Sequence, residues 1–241
     1  LLLLLRAGQG FALGGELTSM LAYASEHAEP PRLGLAIGLA LASANAGFLV
    51  GEGVLTAPEQ LRSLRYCAGR DAEGAQTYNV IDAHLGAGAV PPSDAAARHS
   101  TTTSACGICG TESIEAVAKT ARLPLGAAEP LVDAAVVAQL PDTLRDSQQV
   151  FDATGGVHAA GLFAPDGTAV CVREDVGRHN AVDKVIGWAL REGRLPLAQH
   201  VLQVSGRASF ELVQKARLAG IPMLAAVGAP STLAAQLAHD T

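Results

Sequence analysis

The last part of this chain repeats the same local unit three times: a strand, a short glycine-containing loop and a helix. The predicted strands are 168–173, 200–205 and 223–227, and the helices that follow them are 180–190, 211–219 and one that begins at Ser231. Short strand–helix–strand connections join strands that run in the same direction. The order therefore predicts an α/β fold with a mixed, largely parallel sheet flanked by helices.

The loops of these units contain residue types that suit an anionic ligand. Ligands collect beyond the carboxyl ends of strands in such sheets, where helix N-termini present backbone N–H groups. Basic side chains add charge there, and glycines allow the backbone to come close. The candidate binding residues are Gly177, Arg178, His179, Lys184, Ser205, Gly206 and Arg207. A capped surface turn with solvated charges is the alternative.

His158 follows two glycines in a predicted hairpin at 150–163. We interpret it as a buried structural histidine, with a place in the lining of the binding site as the alternative.

Cys106 and Cys109 form a C-x-x-C pair between a threonine-rich predicted strand and a predicted helix. A glycine follows each cysteine and indicates an exposed turn, and a thiol just before a helix N-terminus is biased towards the thiolate. The pattern alone leaves open a structural zinc site, a redox pair, a sulfur-handling thiolate or two inert thiols. Zinc needs four ligands, and the other cysteines, Cys67 and Cys171, lie far away in apolar segments typical of buried, inert thiols.

Composition narrows the class of protein. The chain has 241 residues, enough for one large domain or two small ones, with a net charge of −6 and a pI near 5.6. An acidic balance argues against general nucleic-acid binding. Four cysteines, of which only two share a motif, suit a reducing compartment.

Four segments, taken in order, resemble the FdhD family, the sulfur-carrier proteins that formate dehydrogenase requires for activity. They are 106–110, 154–160, 174–187 and 205–227. The fourteen-residue block EDVGRHNAVDKVIG at 174–187 is the most specific of them.

The resemblance implies a cytoplasmic protein, usually a homodimer, with a cytidine-deaminase-like fold. It implies that Cys106 takes sulfur from a cysteine desulfurase as a persulfide and passes it to the molybdenum of the bis(molybdopterin guanine dinucleotide) cofactor, with formate dehydrogenase as the client. Cys109 matches the second cysteine of the family's loop. No resident metal is expected, and the basic loops described above become candidates for binding the cofactor.

Two alternatives belong to other classes. Zinc nucleobase deaminases carry H-x-E and P-C-x-x-C, and His27 and Glu29 precede the C-x-x-C pair here; however, Ala105 replaces the proline and the two halves lie far apart. The other alternative is a chaperone that binds the molybdenum cofactor without carrying sulfur.

Residues 1–46 do not resemble the FdhD family. The uncharged run 33–51 has the length of a membrane-spanning helix, and 9–16 with 27–32 is similar to a helix pair of major facilitator superfamily transporters. We interpret 1–46 as a foreign segment, with membrane contact only if that segment is genuine, and 47–241 as an FdhD-like domain that stops short of the family's last strand. A divergent start that packs as ordinary helices is the alternative.

Overall fold

A computed structural model of the chain describes residues 33–66, 81–90, 117, 121–126 and 132–241. Cys106, Cys109 and Cys67 lie outside the described residues, as does the whole segment that precedes residue 33.

The described helices are α1 (Leu33–Gly51), α2 (Ala134–Asp146), α3 (Gln149–Thr154), α4 (Arg178–Arg191), α5 (Phe210–Leu218) and α6 (Thr232–Asp240), with a short 3-10 turn at Pro58–Gln60. The described strands are β1 (Leu61–Tyr66), β2 (Ile81–Leu85), β3 (His158–Phe163), β4 (Ala169–Asp175), β5 (Val201–Arg207) and β6 (Met223–Gly228). Strands β1 and β2 form an antiparallel pair of their own.

The other four strands form one sheet in the order β4–β3–β5–β6. Strand β3 is antiparallel to both β4 and β5, whereas β5 and β6 are parallel neighbours. Strands β4, β5 and β6 therefore run in the same direction, although only one adjacent pair of the described sheet is parallel. The predicted α/β class, with a mixed sheet flanked by helices, is confirmed; the antiparallel pairs arise because the β3–β4 hairpin inserts β3 beside β5. The cytidine-deaminase-like assignment stays a prediction.

The three repeated units are confirmed with small shifts of their ends. Ser231 caps α6, since its side chain accepts a hydrogen bond from Ala234 N at 3.2 Å. Gly220 has φ +71°, a left-handed conformation that favours glycine just after a helix. Helix α4 begins at Arg178, two residues before the predicted start, and the Asn180 side chain within its first turn donates a hydrogen bond to Asp175 Oδ1.

The predicted hairpin at 150–163 is wrong in its first half. Residues 149–154 form helix α3, which ends at Gly155 with φ +63°, and only His158–Phe163 is a strand. That strand is followed in the chain by its antiparallel neighbour β4, so the hairpin runs from β3 to β4.

Helix α4 lies at the centre of the largest hydrophobic core, between the sheet and α1. The backbones of α1 and α4 come so close that a Cβ on Gly47 would lie 1.9 Å from Asp183 O, and one on Gly187 would lie 1.8 Å from Ser43 O. Both positions therefore require glycine. The predicted boundary between residues 46 and 47 falls inside α1, and the division into two segments stays a prediction.

In the part of the chain that the structure describes, no helix combines the length and the apolar character needed to cross a membrane.

Candidate functional site

Strand direction brings several sequence-distant loops to one edge of the sheet. The carboxyl ends of β4, β5 and β6 meet there with the amino end of β3, where His158 is paired with Asp175. Helices α4, α5 and α6 each begin just after one of these strand ends. The edge is thus the place at which ligands collect in open α/β sheets.

A cavity of about 620 Å³ opens at this edge. One wall comes from α2 and α3, including Arg145 and Phe151, and another from the segment 155–157. His158 and Ser205 contribute from the sheet. The Arg145 guanidinium lies over the Phe151 ring, 4.8 Å from its centroid, and pairs with Asp152 at 2.6 Å.

Of the predicted binding residues, Ser205 lines this cavity directly. Its hydroxyl oxygen accepts a hydrogen bond from Ala159 N at 2.9 Å, which fixes the end of β5 against β3. A Cβ on the next residue, Gly206, would lie 3.5 Å from His158 Nδ1 and 3.8 Å from Arg178 Cδ. Gly206 therefore lets the His158 ring and the Arg178 side chain lie close to the same strand end.

His158 lies in the cavity wall and is only half-buried, so the interpretation as a buried histidine is wrong in its burial, and the role in lining a binding site stays a prediction. Its pKa is lowered from the ordinary value by partial burial and then by the positive charges of Arg178 and His179, with Asp175 opposing them. A neutral imidazole presents one N–H donor and one acceptor nitrogen. The sequence signal was its place two positions after the pair of glycines, Gly155 and Gly156, that also line the cavity.

Arg178 and His179 occupy the first turn of α4, as expected for a helix entrance. His179 Nε2 lies 2.8 Å from Glu211 Oε2 and 3.4 Å from Ser209 Oγ. This contact joins the starts of α4 and α5, and it directs the ring towards α5.

Gly177 and Lys184 belong to an internal polar network centred on Asp175. The Asp175 carboxylate accepts from Gly177 N at 2.9 Å and from Asn180 Nδ2 at 3.2 Å. Lys184 Nζ lies 2.5 Å from Asp175 Oδ2, and the two side chains are only 8% and 0% exposed. The structure thus turns the Lys184 ammonium group inward and not towards the cavity, and this network fixes the loop between β4 and α4.

Arg207 is exposed at the end of β5, next to the end of β6. A Cβ on Gly228 would lie 2.8 Å from Arg207 Cγ, so the glycine makes room for the arginine side chain. Arg207 therefore flanks the edge of the sheet on the β6 side.

Sequence reasoning missed two carboxylates that join separate elements, the half-buried Glu174 and the buried Asp183. Glu174 accepts hydrogen bonds from Val150 N at 2.8 Å and Phe151 N at 2.9 Å, although it is more than twenty positions away in the chain. Asp183 on α4 pairs with Lys215 Nζ on α5 at 2.8 and 2.9 Å. Burial raises the pKa of Asp183, and Lys215 opposes this. The signal for this pair was a charge on each helix between residues of its apolar stripe.

Cys171 is buried in the core, as predicted for an inert thiol, and burial raises the pKa of that thiol. Among the described residues, which do not include the C-x-x-C pair, no group of three His, Cys, Asp or Glu side chains could hold a metal ion.

Known proteins resemble this chain over most of its length. The sequence model that describes the FdhD/NarQ family matches residues 35–241 of this chain. The sulfur carrier protein FdhD of Mycolicibacterium paratuberculosis is 56% identical over 195 residues, which cover 81% of this chain and 72% of that protein. That of Nocardia farcinica is 57% identical over 194 residues, covering 80% and 68%.

A solved structure has a similar fold. It is the crystal structure of a Desulfotalea psychrophila protein described as a formate dehydrogenase accessory protein, with a TM-score of 0.55 and 24% identity, covering 83% of this chain and 70% of that one.

Proposed function

Because the chain belongs to the FdhD/NarQ family, we propose that it is a cytoplasmic sulfurtransferase that carries sulfur as a persulfide on Cys106. The donor is a cysteine desulfurase. The acceptor is the molybdenum bis(molybdopterin guanine dinucleotide) cofactor, and the client is formate dehydrogenase. The protein acts as a homodimer.

The loading step needs only an accessible thiolate. The Cys106 thiolate attacks the terminal sulfur of the donor persulfide, the sulfur–sulfur bond of the donor breaks, and the donor cysteine leaves as a thiolate. The persulfide is then on Cys106, and the summed oxidation state of the sulfur atoms involved has not changed. Cys109, three positions further along the sequence, is proposed to assist Cys106.

The observation that carries the acceptor assignment is the cavity at the edge of the sheet. A large polyanionic cofactor needs room, hydrogen-bond donors and close approach of the backbone. The cavity offers about 620 Å³ with His158 and Ser205 in its wall. A Cβ on Gly156 would meet only Thr154 O, at 3.8 Å, so this glycine leaves space for a ligand. Arg178 lies against the same strand end, which adds positive charge.

The test is the restoration of formate dehydrogenase activity in cells that lack their own sulfur carrier. Cys106→Ala is expected to restore none, because no thiolate remains to accept sulfur. Cys171→Ala is the matched control, since Cys171 is a buried thiol of the core, and it should restore activity like the parent.

Restoration by Cys106→Ala would contradict the proposal. It would indicate a chaperone that binds the cofactor without carrying sulfur.

A further inference from the structure

Helix α3 forms one wall of the cavity but is not held there by burial. It has six residues, none of them buried, and its N-cap residue Gln148 makes no side-chain capping hydrogen bond. A helix this short is not stable by itself in water. Something outside the helix must therefore fix its position.

Arg145 of α2 contacts Phe151 and Asp152 from outside the helix, and Glu174 supplies the outside contact to its backbone. The Glu174 carboxylate reaches from the end of β4 and accepts hydrogen bonds from the backbone N–H groups of Val150 and Phe151, at 2.8 and 2.9 Å. These are groups of the first helical turn, which have no partner inside a helix. A carboxylate at this end also interacts favourably with the helix dipole.

Glu174 is itself held in place by the neighbouring network. Lys184 Nζ donates to the Glu174 carbonyl oxygen at 2.9 Å and pairs with Asp175, which in turn accepts from Gly177 N. Successive residues of a strand point to opposite faces of the sheet. Glu174 and Asp175 therefore reach different helices, Glu174 the start of α3 and Asp175 the start of α4.

The position of α3 affects the shape of the cavity directly, because this helix leads into the segment 155–157 that forms one of its walls. Phe151 lines the cavity, and so do Gly155 and Gly156 at the end of the helix, followed by His158. A shift of α3 would move these groups together.

We propose that Glu174 is a positioning residue for the acceptor site: its carboxylate holds α3 so that Phe151 and the segment 155–157 form the wall that receives the ligand. This inference rests on the proposed function, because it takes the cavity to be the site of the cofactor.

The test compares Glu174→Ala and Glu174→Gln with the parent in two measurements on the full chain. Amide hydrogen exchange at Val150 and Phe151 reports on α3, and the affinity for guanosine monophosphate, the nucleotide portion of the proposed acceptor, reports on the cavity. Glu174→Ala removes both hydrogen bonds. It should lower the protection of these amides and the affinity for guanosine monophosphate, each by about tenfold. Glu174→Gln keeps one acceptor oxygen, so in both measurements it should lie between the parent and Glu174→Ala.

Asp166→Asn is the matched control. Asp166 is an exposed carboxylate in the β3–β4 turn and accepts a hydrogen bond from Thr168 N at 2.9 Å, but it does not line the cavity. It should leave both measurements unchanged. The midpoint of global unfolding of the Glu174 variants should also stay near that of the parent, since α3 contributes no buried side chain.

Unchanged protection of Val150 and Phe151 in Glu174→Ala would overturn the inference, and so would lost protection with unchanged affinity. Sulfur loading of Cys106 should be normal in every variant, so these outcomes leave the proposed carrier function standing. A parent chain that does not bind guanosine monophosphate would contradict the acceptor assignment itself, and the inference with it.

Discussion

Three side chains set the electrostatic character of the cavity around His158. Partial burial lowers the pKa of this imidazole, and the positive charges of Arg178 and His179 lower it further, against the carboxylate of Asp175. The ring is therefore neutral at neutral pH and stays so to a lower pH than an ordinary histidine does. A neutral ring can donate and accept hydrogen bonds with a polar ligand.

Replacing Arg178 by Gln should raise the pKa of His158 towards its ordinary value, because one of the two neighbouring positive charges is removed. The shift should be partial, since burial is the larger cause. NMR titration of the histidine ring signals measures it. His200 is the control, because its lowered pKa arises from burial and Arg194. An unchanged titration of His158 would show that Arg178 does not act on it.

The buried pair of Asp183 and Lys215 should dominate the local stability of α4 and α5. Lys215→Met leaves a buried carboxylate without its partner and should lower the free energy of unfolding by about 3–5 kcal/mol. Adding Asp183→Asn should recover part of that loss. Denaturant unfolding of the single and double variants measures the coupling.

The pH dependence of the Lys215→Met variant has a definite sign. Burial raises the pKa of Asp183 in the folded chain, and loss of Lys215 removes the main opposing charge. A raised carboxyl pKa means that the folded state binds the proton more tightly, so its stability falls as pH rises. The loss of unfolding free energy caused by Lys215→Met should therefore be smaller in mildly acidic buffer than at neutral pH.

The exposed ion pair between Asp152 and Arg145 should contribute much less to stability than the buried pair. Asp152→Asn, which breaks it, should lower the free energy of unfolding by less than about 1 kcal/mol.

Helices α1 and α4 cross at Gly47 and Gly187, where their backbones are in close contact. Gly187→Ala would place a methyl group 1.8 Å from Ser43 O, so the helices would have to separate. We expect a loss of about 3 kcal/mol or more in the free energy of unfolding, measured by denaturant titration. Gly156→Ala is the control, since a Cβ there has room, and it should unfold like the parent.

The regular elements of the repeated units could be predicted because local signals agree there. Ser231 caps α6 through its own side chain, and Gly220 follows a helix in the left-handed conformation. Helix α3 could not be predicted in this way. Its first turn is capped by Glu174 from another strand, and no local pattern in the sequence encodes that contact.

At the level of the complete fold, strand order explains what sequence reasoning missed about the site. The direction of β4, β5 and β6 was predictable, and with it the edge at which Arg178, Ser205 and Arg207 meet. The insertion of β3 between β4 and β5 was not, because pairing across the sheet depends on long-range packing. That insertion is what places His158 in the cavity wall. Lys184, although in the right segment, faces the internal network because its ammonium group contacts Asp175 and the Glu174 carbonyl oxygen at the end of β4.

The central claim is that sulfur travels on Cys106, and the mass of the peptide that contains this residue tests it most directly. The full chain is incubated with a cysteine desulfurase and cysteine, and the peptide is analysed before and after the molybdenum cofactor is added. We predict that Cys106 gains one sulfur atom only when the desulfurase is present, and that the cofactor removes it. A Cys106 that never gains sulfur under these conditions would contradict the account.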